Sequence, residues 1–194
     1  MSQSETDIVE IESIVWRDVD DVFKPAVRPL ERFLEGVVLD PPLVPPPAPL
    51  IFVQHEVLSQ LRDDARRDVA REHGGILLGQ VHEDVGGRHF IVVTASLLAA
   101  ETIGSAVHLQ FSEASWPALW DRMKECDGSL MVGWYHTHPG LGVFLSGTDR
   151  RTQALYFSQP WQIAIVIDPV RDEIGFFCGP AGRKVGTVRA FRER

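Results

Sequence analysis

The segment from Gly133 to Asp149, GWYHTHPGLGVFLSGTD, constrains this chain more than any other. It starts at the end of a run, Ser129–Tyr135, that reads as a strand, and continues directly into His136 and His138. On a strand, alternate side chains share a face, so residues i and i+2 point the same way. The two imidazoles therefore leave the strand end side by side, as metal ligands do. Asp149 follows eleven positions after His138, with Ser146 three residues before it. A carboxylate returned by the loop makes a third ligand. Two imidazoles and a carboxylate suit zinc, and three protein ligands leave a position for water, the pattern of catalytic sites. A His-x-His alone is more often a surface pair or a satisfied core pair. Ser146-x-x-Asp149 alone would read as a helix cap with a capping acid. The metal reading rests on the three side chains together.

The rest of the chain supplies a scaffold of alternating elements. Residues 1–50 stand apart, with eight of the thirteen prolines and seven acids among the first twenty-one residues. Residues 22–38 have the pattern of a short amphipathic helix after Pro29, and residues 39–50 that of an extended, irregular segment. Two readings stay open for this extension. It is a linker and tail, or else residues 14–16 and 33–38 pack on the following domain or grip a partner. From Ile51 the pattern is regular. A short strand at Ile51–Val53 precedes a helix over His55–Glu72, with Leu58, Leu61, Ala65 and Val69 inward. Gly74-Gly75 ends it, and strands at Ile76–Val81 and Arg88–Ala99 flank a Gly86-Gly87 turn. A loop at 101–106 leads to a strand at Val107–Phe111. A helix after Ser115 carries Trp116, Leu119, Trp120 and Met123 on one face. A further helix spans Thr148–Ser158, with Ala154, Leu155 and Phe157 inward. Trp161–Asp168 is a near-continuous apolar run, as a buried central strand requires. Glu173–Cys178 and Lys184–Phe191 complete the strands.

Composition excludes several classes. The net charge of −8 disfavours nucleic acid as the main partner, because phosphate neutralisation needs clustered Lys and Arg. No run of 18 apolar residues exists, so no membrane span is expected. The acidic N-terminus lacks the apolar stretch of a secretory signal. Cys126 and Cys178 have no metal-type spacing and read as buried thiols of a cytoplasmic protein, with a disulfide between them the lesser alternative.

Glu72 lies in Glu72-His73-Gly74-Gly75-Ile76-Leu77-Leu78-Gly79, about sixty residues before the histidine pair. By composition alone it would be a solvated acid near a helix end, and His73 a turn residue rather than a ligand. Two stretches together, Glu-x-x-Gly-x-Leu-x-Gly and His136-Thr137-His138-Pro139 followed by Ser146-x-x-Asp149, resemble the JAMM (MPN+) signature of zinc isopeptidases. The block AIVIDP…GFF resembles that family's C-terminal half, so the likeness covers about residues 51–191.

The resemblance implies an α/β (α+β) fold: a single MPN/JAB-like domain over residues 51–194, with a curved mixed β-sheet flanked by helices. It implies one Zn2+ per chain held by His136, His138 and Asp149. Glu72 would be the general base, and Ser146 a donor to the tetrahedral oxyanion. The implied substrate is ubiquitin or a ubiquitin-like protein cleaved after its C-terminal glycine, as in deubiquitinases. The compact chain resembles prokaryotic members, which act beside activating and conjugating enzymes of a ubiquitin-like modifier, including in antiviral defence. Three other readings stay beside this one: a non-catalytic MPN scaffold, a peptidase that trims a ubiquitin-like precursor or sulfur carrier, and a DNA-repair protein with a related His-x-His motif.

Overall fold

The computed structural model describes residues 23–33, 49–99, 102–105, 108–111, 115–126, 128–186 and 188–192. In chain order the elements begin with β1 (Ala26–Val27) and a single 3-10 turn at Leu30–Phe33. Next come β2 (Leu50–Gln54), α1 (His55–Ala65), β3 (Gly74–Glu83) and β4 (His89–Leu98). A hairpin of β5 (Thr102–Ser105) and β6 (His108–Phe111) precedes α2 (Ser115–Lys124) and β7 (Leu130–Thr137). The chain then forms α3 (Gly147–Tyr156), β8 (Ile163–Asp168), β9 (Glu173–Cys178), β10 (Arg183–Val185) and β11 (Val188–Phe191).

One mixed sheet runs in the order β10-β9-β8-β7-β3-β4-β2-β11, with β1 alongside β3. Its two outermost strands are neighbours in sequence. Val185 ends β10 and Val188 starts β11, so at most about 11 Å of extended chain joins opposite edges. The sheet must curl until those edges nearly meet. Val185 and Val188 accordingly pack on the same core cluster, with Val53, Leu61, Leu77, Val132 and Ile165. Helix α1 covers this enclosed face through Val57, Leu61 and Ala65.

Alternation in β8 divides the core. Ile163, Ile165 and Ile167 join the enclosed cluster, while Ala164 and Val166 meet Trp134, Leu145 and Phe157 on the outer face beside α3. All six β8 residues are buried, as the apolar run predicts. Helix α2 covers Ile76, Leu78 and Leu97 with Leu119. Gly133 in β7 allows β8 to come close, since a Cβ there would run into the carbonyl of Ile163.

Several elements differ from the sequence reading. Helix α1 ends at Ala65 rather than at Glu72, and Val69 is exposed. The carbonyl of Asp64, which a continuing helix would give to the N–H of Asp68, instead accepts from Arg67 N at 3.1 Å and meets His73 Nε2 at 2.8 Å. Asp68 then bonds the N–H of Ala70 through its own side chain, a local alternative to helix. Residues 102–105 form a strand rather than part of a loop. Lys184–Phe191 divides into two strands on opposite sheet edges. In α3, Leu155 and Ala154 face solvent, and the buried side chains are Asp149, Thr152 and Gln153. Trp120 of α2 is half-exposed.

In the N-terminal extension, Phe33 packs among Phe52, Phe90 and Phe191, and the backbone N–H of Arg28 donates to Glu83. The expectations for residues 14–16, 34–38 and 39–48, and for Trp116, lie outside what the structure describes.

Candidate metal centre

Three neighbouring elements converge at one end of the sheet. β7 runs parallel to β8, and its last residues pair His136 with Val166 and Thr137 with Ile167. The strand's hydrogen bonding continues past its end, because His138 N donates to Ile167 O at 2.8 Å. On its other side β7 is antiparallel to β3, with Gly74 opposite His136. The start of β3 therefore meets the end of β7. Glu72, two residues before Gly74, is delivered to the histidine pair.

Asp149 arrives from the first turn of α3. Ser146 is the N-cap, and its Oγ accepts from Asp149 N at 3.2 Å. Asp149 Oδ2 accepts in return from Ser146 N at 2.6 Å, completing a reciprocal capping box. The same Oδ2 lies 3.4 Å from His136 Nε2 and 3.5 Å from His138 Nε2. Asp149 is thus both the capping acid and a member of the His-His-Asp cluster. The two Nε2 atoms are 3.1 Å apart, and Glu72 Oε1 is 3.7 Å from His138 Nε2. His136, His138, Asp149 and Glu72 are all buried.

The charge pattern favours a cation at this point. Burial pushes the His136 imidazole below its ordinary value, despite the opposing pull of Asp149. For His138, burial acts downward, but Asp149, Glu72 and the Gly142 carbonyl outweigh it and raise the group. Burial would raise the Asp149 carboxyl, yet hydrogen bonds from the two histidines and the Ser146 side chain hold it well below the carboxylate range. His138 Nδ1 lies 3.2 Å from the Gly142 carbonyl, which only accepts hydrogen bonds. In the neutral ring the proton therefore sits on Nδ1, which leaves the Nε2 lone pair facing the other donors.

The donor set fits a tetrahedral ion of the zinc class. Ligands about 2.0–2.1 Å from a common tetrahedral centre lie about 3.3–3.4 Å apart. The three separations are 3.1, 3.4 and 3.5 Å. No other cluster of three such donors occurs among the described residues. His73 is not part of it and binds the Asp64 carbonyl instead.

Supporting contacts escaped the sequence reading. Thr137 lies between the two histidines and points to the other face of β7. Its Oγ1 accepts from His73 N at 3.0 Å, and Thr137 N donates to His73 O at 2.9 Å. These bonds clamp the backbone next to Glu72 against the strand carrying the histidines. The Trp134 ring stacks on His136 with centroids 4.5 Å apart and planes at 11°. The alternation of β7 was enough to place Trp134 with the histidines and Thr137 opposite them. At the rim, the half-exposed Phe144 ring lies 4.7 Å from that of His138, and Leu141 is also exposed.

Residues 54–177 match the family described as prokaryotic homologs of the JAB domain. The chain belongs to this family. Among curated relatives of the JAB domain, it is 35% identical over 99 residues to the COP9 signalosome complex subunit 5 of Caenorhabditis elegans, covering 49% of this chain and 27% of that protein. It is 27% identical over 155 residues to the 26S proteasome regulatory subunit rpn11 of Schizosaccharomyces pombe, covering 75% of this chain and 48% of the relative. The chain thus spans less than half the length of either relative. Its fold matches that of protein DSY2949 from Desulfitobacterium hafniense, with a TM-score of 0.56 at 20% identity, covering 74% of this chain and 94% of the other. JAB membership agrees with the curved mixed sheet and the JAMM resemblance of the sequence. Among the described residues, no helix is long and apolar enough to cross a membrane.

Proposed function

We propose that this JAB-domain chain is a zinc-dependent isopeptidase or peptidase that cleaves after the C-terminal glycine of ubiquitin or a ubiquitin-like protein. The observation that carries this reading is the convergence of a buried carboxylate, Glu72, on a His136–His138–Asp149 donor set of tetrahedral dimensions. Family membership and the relatives in the COP9 signalosome and the 26S proteasome support the substrate class.

His136, His138 and Asp149 would hold one zinc ion. When bound, zinc supplies Lewis acidity, which brings the pKa of water down to about 7. Glu72 takes the proton of the attacking water and passes it to the departing amine. Its buried setting keeps that proton from bulk solvent. Ser146 Oγ accepts a backbone N–H from Asp149 and its side chain bonds the Asp149 carboxylate, from which the O–H turns to donate to the developing oxyanion. Such a donor is typically worth about 3–4 kcal/mol in the transition state. Leu141 and Phe144 offer apolar surface beside the site for an extended tail. Neither free cysteine belongs to the site, so no covalent acyl intermediate is invoked. The setting we propose is cytoplasmic, beside activating and conjugating enzymes of the same modifier, including in antiviral defence.

The test is incubation of the chain with lysine conjugates and linear fusions of ubiquitin-like proteins, with and without a chelator. Cleavage after the terminal glycine is expected, lost with chelator and in Glu72→Gln and His136→Ala. Cleavage retained in either variant would overturn the proposal.

A further inference from the structure

We propose that Asp168 is a positioning residue for His138, fixing the tautomer and aim of that imidazole through the loop at 139–142. Asp168 ends β8 and is fully buried, where a carboxylate needs hydrogen-bond partners throughout. It has four backbone donors. Its Oδ1 accepts from Gly140 N at 2.9 Å, Val170 N at 2.9 Å and Arg171 N at 3.1 Å. Its Oδ2 accepts from Gly142 N at 2.7 Å, with Arg171 Nε at 3.6 Å. Two of these donors belong to the turn after β8. The other two belong to the loop that leaves His138.

The link to the imidazole runs through Gly142. Its φ of 87° lies in the left-handed region, where a side chain is strained, and an added Cβ would stand 3.1 Å from Arg171 Nη1. In that conformation Asp168 holds the residue's N–H while its carbonyl turns back to His138 Nδ1 at 3.2 Å. Ligating histidines commonly have the second ring nitrogen fixed by a carboxylate or a carbonyl. Here a carbonyl makes the contact, and a carboxylate one residue-width away holds that carbonyl in place. The four backbone N–H groups that Asp168 binds all belong to residues outside the donor set.

This inference rests on the metal-site reading, so zinc affinity of the wild-type chain is measured beside the variants by competition with a chromophoric chelator. Asp168→Asn has only one acceptor oxygen and turns an NH2 group toward N–H donors. It is expected to raise the zinc dissociation constant by about 10–100-fold and to alter the visible absorption of the cobalt(II)-loaded chain. Gly142→Ala, with Asp168 intact, is expected to weaken zinc in the same sense, and it covers the case in which Asp168→Asn does not fold. Phe33→Ala is the control for lost stability alone, because its ring packs in a different cluster; its zinc affinity is expected to match the wild type. Unchanged zinc affinity in folded Asp168→Asn, or in Gly142→Ala, would overturn the proposal. A wild-type chain that binds no zinc would overturn the site itself.

Discussion

The indole Nε1 of Trp134 donates to Gln153 Oε1 at 2.7 Å, joining the strand that carries both histidines to the helix that carries Asp149. Gln153 lies one helical turn after Asp149 and is completely buried. Its amide nitrogen donates to the carbonyls of Phe157, Gln162 and Gly179 at 3.2–3.3 Å. One side chain thus fixes α3, the approach to β8 and the end of β9 against β7.

Gln153→Leu keeps the volume but removes the acceptor of the Trp134 N–H and the donor to the Phe157 carbonyl, while the Gln162 and Gly179 carbonyls keep the N–H groups of Gly179 and Gly182. Each buried group left unpaired costs about 1–3 kcal/mol. A loss of at least about 2 kcal/mol is expected in urea unfolding. A loss below about 1 kcal/mol would show that the buried amide is replaceable.

Thr137 is expected to act on catalysis through Glu72. Thr137→Val removes the hydroxyl that holds His73 N but keeps the shape. The expected stability cost is about 1–2 kcal/mol. With zinc content unchanged, single-turnover cleavage should fall about tenfold, equivalent to about 1.4 kcal/mol of transition-state stabilisation. Equal cleavage rates would mean that Glu72 needs no such clamp.

Asp168 sets a pH dependence with a definite sign. Burial would raise its carboxyl, but the N–H groups of Gly140, Gly142, Arg171 and Val170 outweigh burial and hold it below the ordinary value. A native value below the unfolded value of about 3.9 stabilises the fold fully above about pH 4. That contribution is lost as pH falls through the lowered native value. Asp168→Asn lacks this titration, so its stability should fall less steeply than the wild type's between about pH 5 and pH 2. Unfolding midpoints in urea across that range give the comparison, and parallel curves would contradict the assignment.

The N-terminal extension contributes to the fold through Phe33. Its ring lies 5.7 Å from Phe52, 5.3 Å from Phe90 and 6.1 Å from Phe191. Aromatic pairs add about 0.5–1.5 kcal/mol each beyond area burial, so Phe33→Ala should cost about 2–3 kcal/mol. A truncation starting at Ile51 should cost at least as much in thermal unfolding. An unchanged midpoint would return residues 23–33 to the role of a tail.

The donor set was legible because its parts are local. The i, i+2 spacing aims two imidazoles together, and a capping pattern places Asp149 in the first turn of a helix. Glu72 was legible only through the longer motif. The periodicity of Leu58, Leu61 and Ala65 continues to Val69, while the helix stops at Ala65, where the N–H of Arg67 and the distant His73 ring both meet the Asp64 carbonyl. Closure of the sheet was hidden for a similar reason. Val185 and Val188 carry the same apolar signal, and only tertiary pairing puts them on opposite edges. Gln153 and Asp168 look like ordinary polar residues until the carbonyls and N–H groups they bind are in place.

Metal stoichiometry tests the central claim most directly. The chain, dialysed against micromolar zinc and then against metal-free buffer, should retain one zinc per molecule by plasma emission spectrometry. His136→Ala and His138→Ala should retain almost none, while Glu72→Gln should keep a full equivalent. A wild-type chain without zinc, or histidine variants that hold as much as the wild type, would contradict the account.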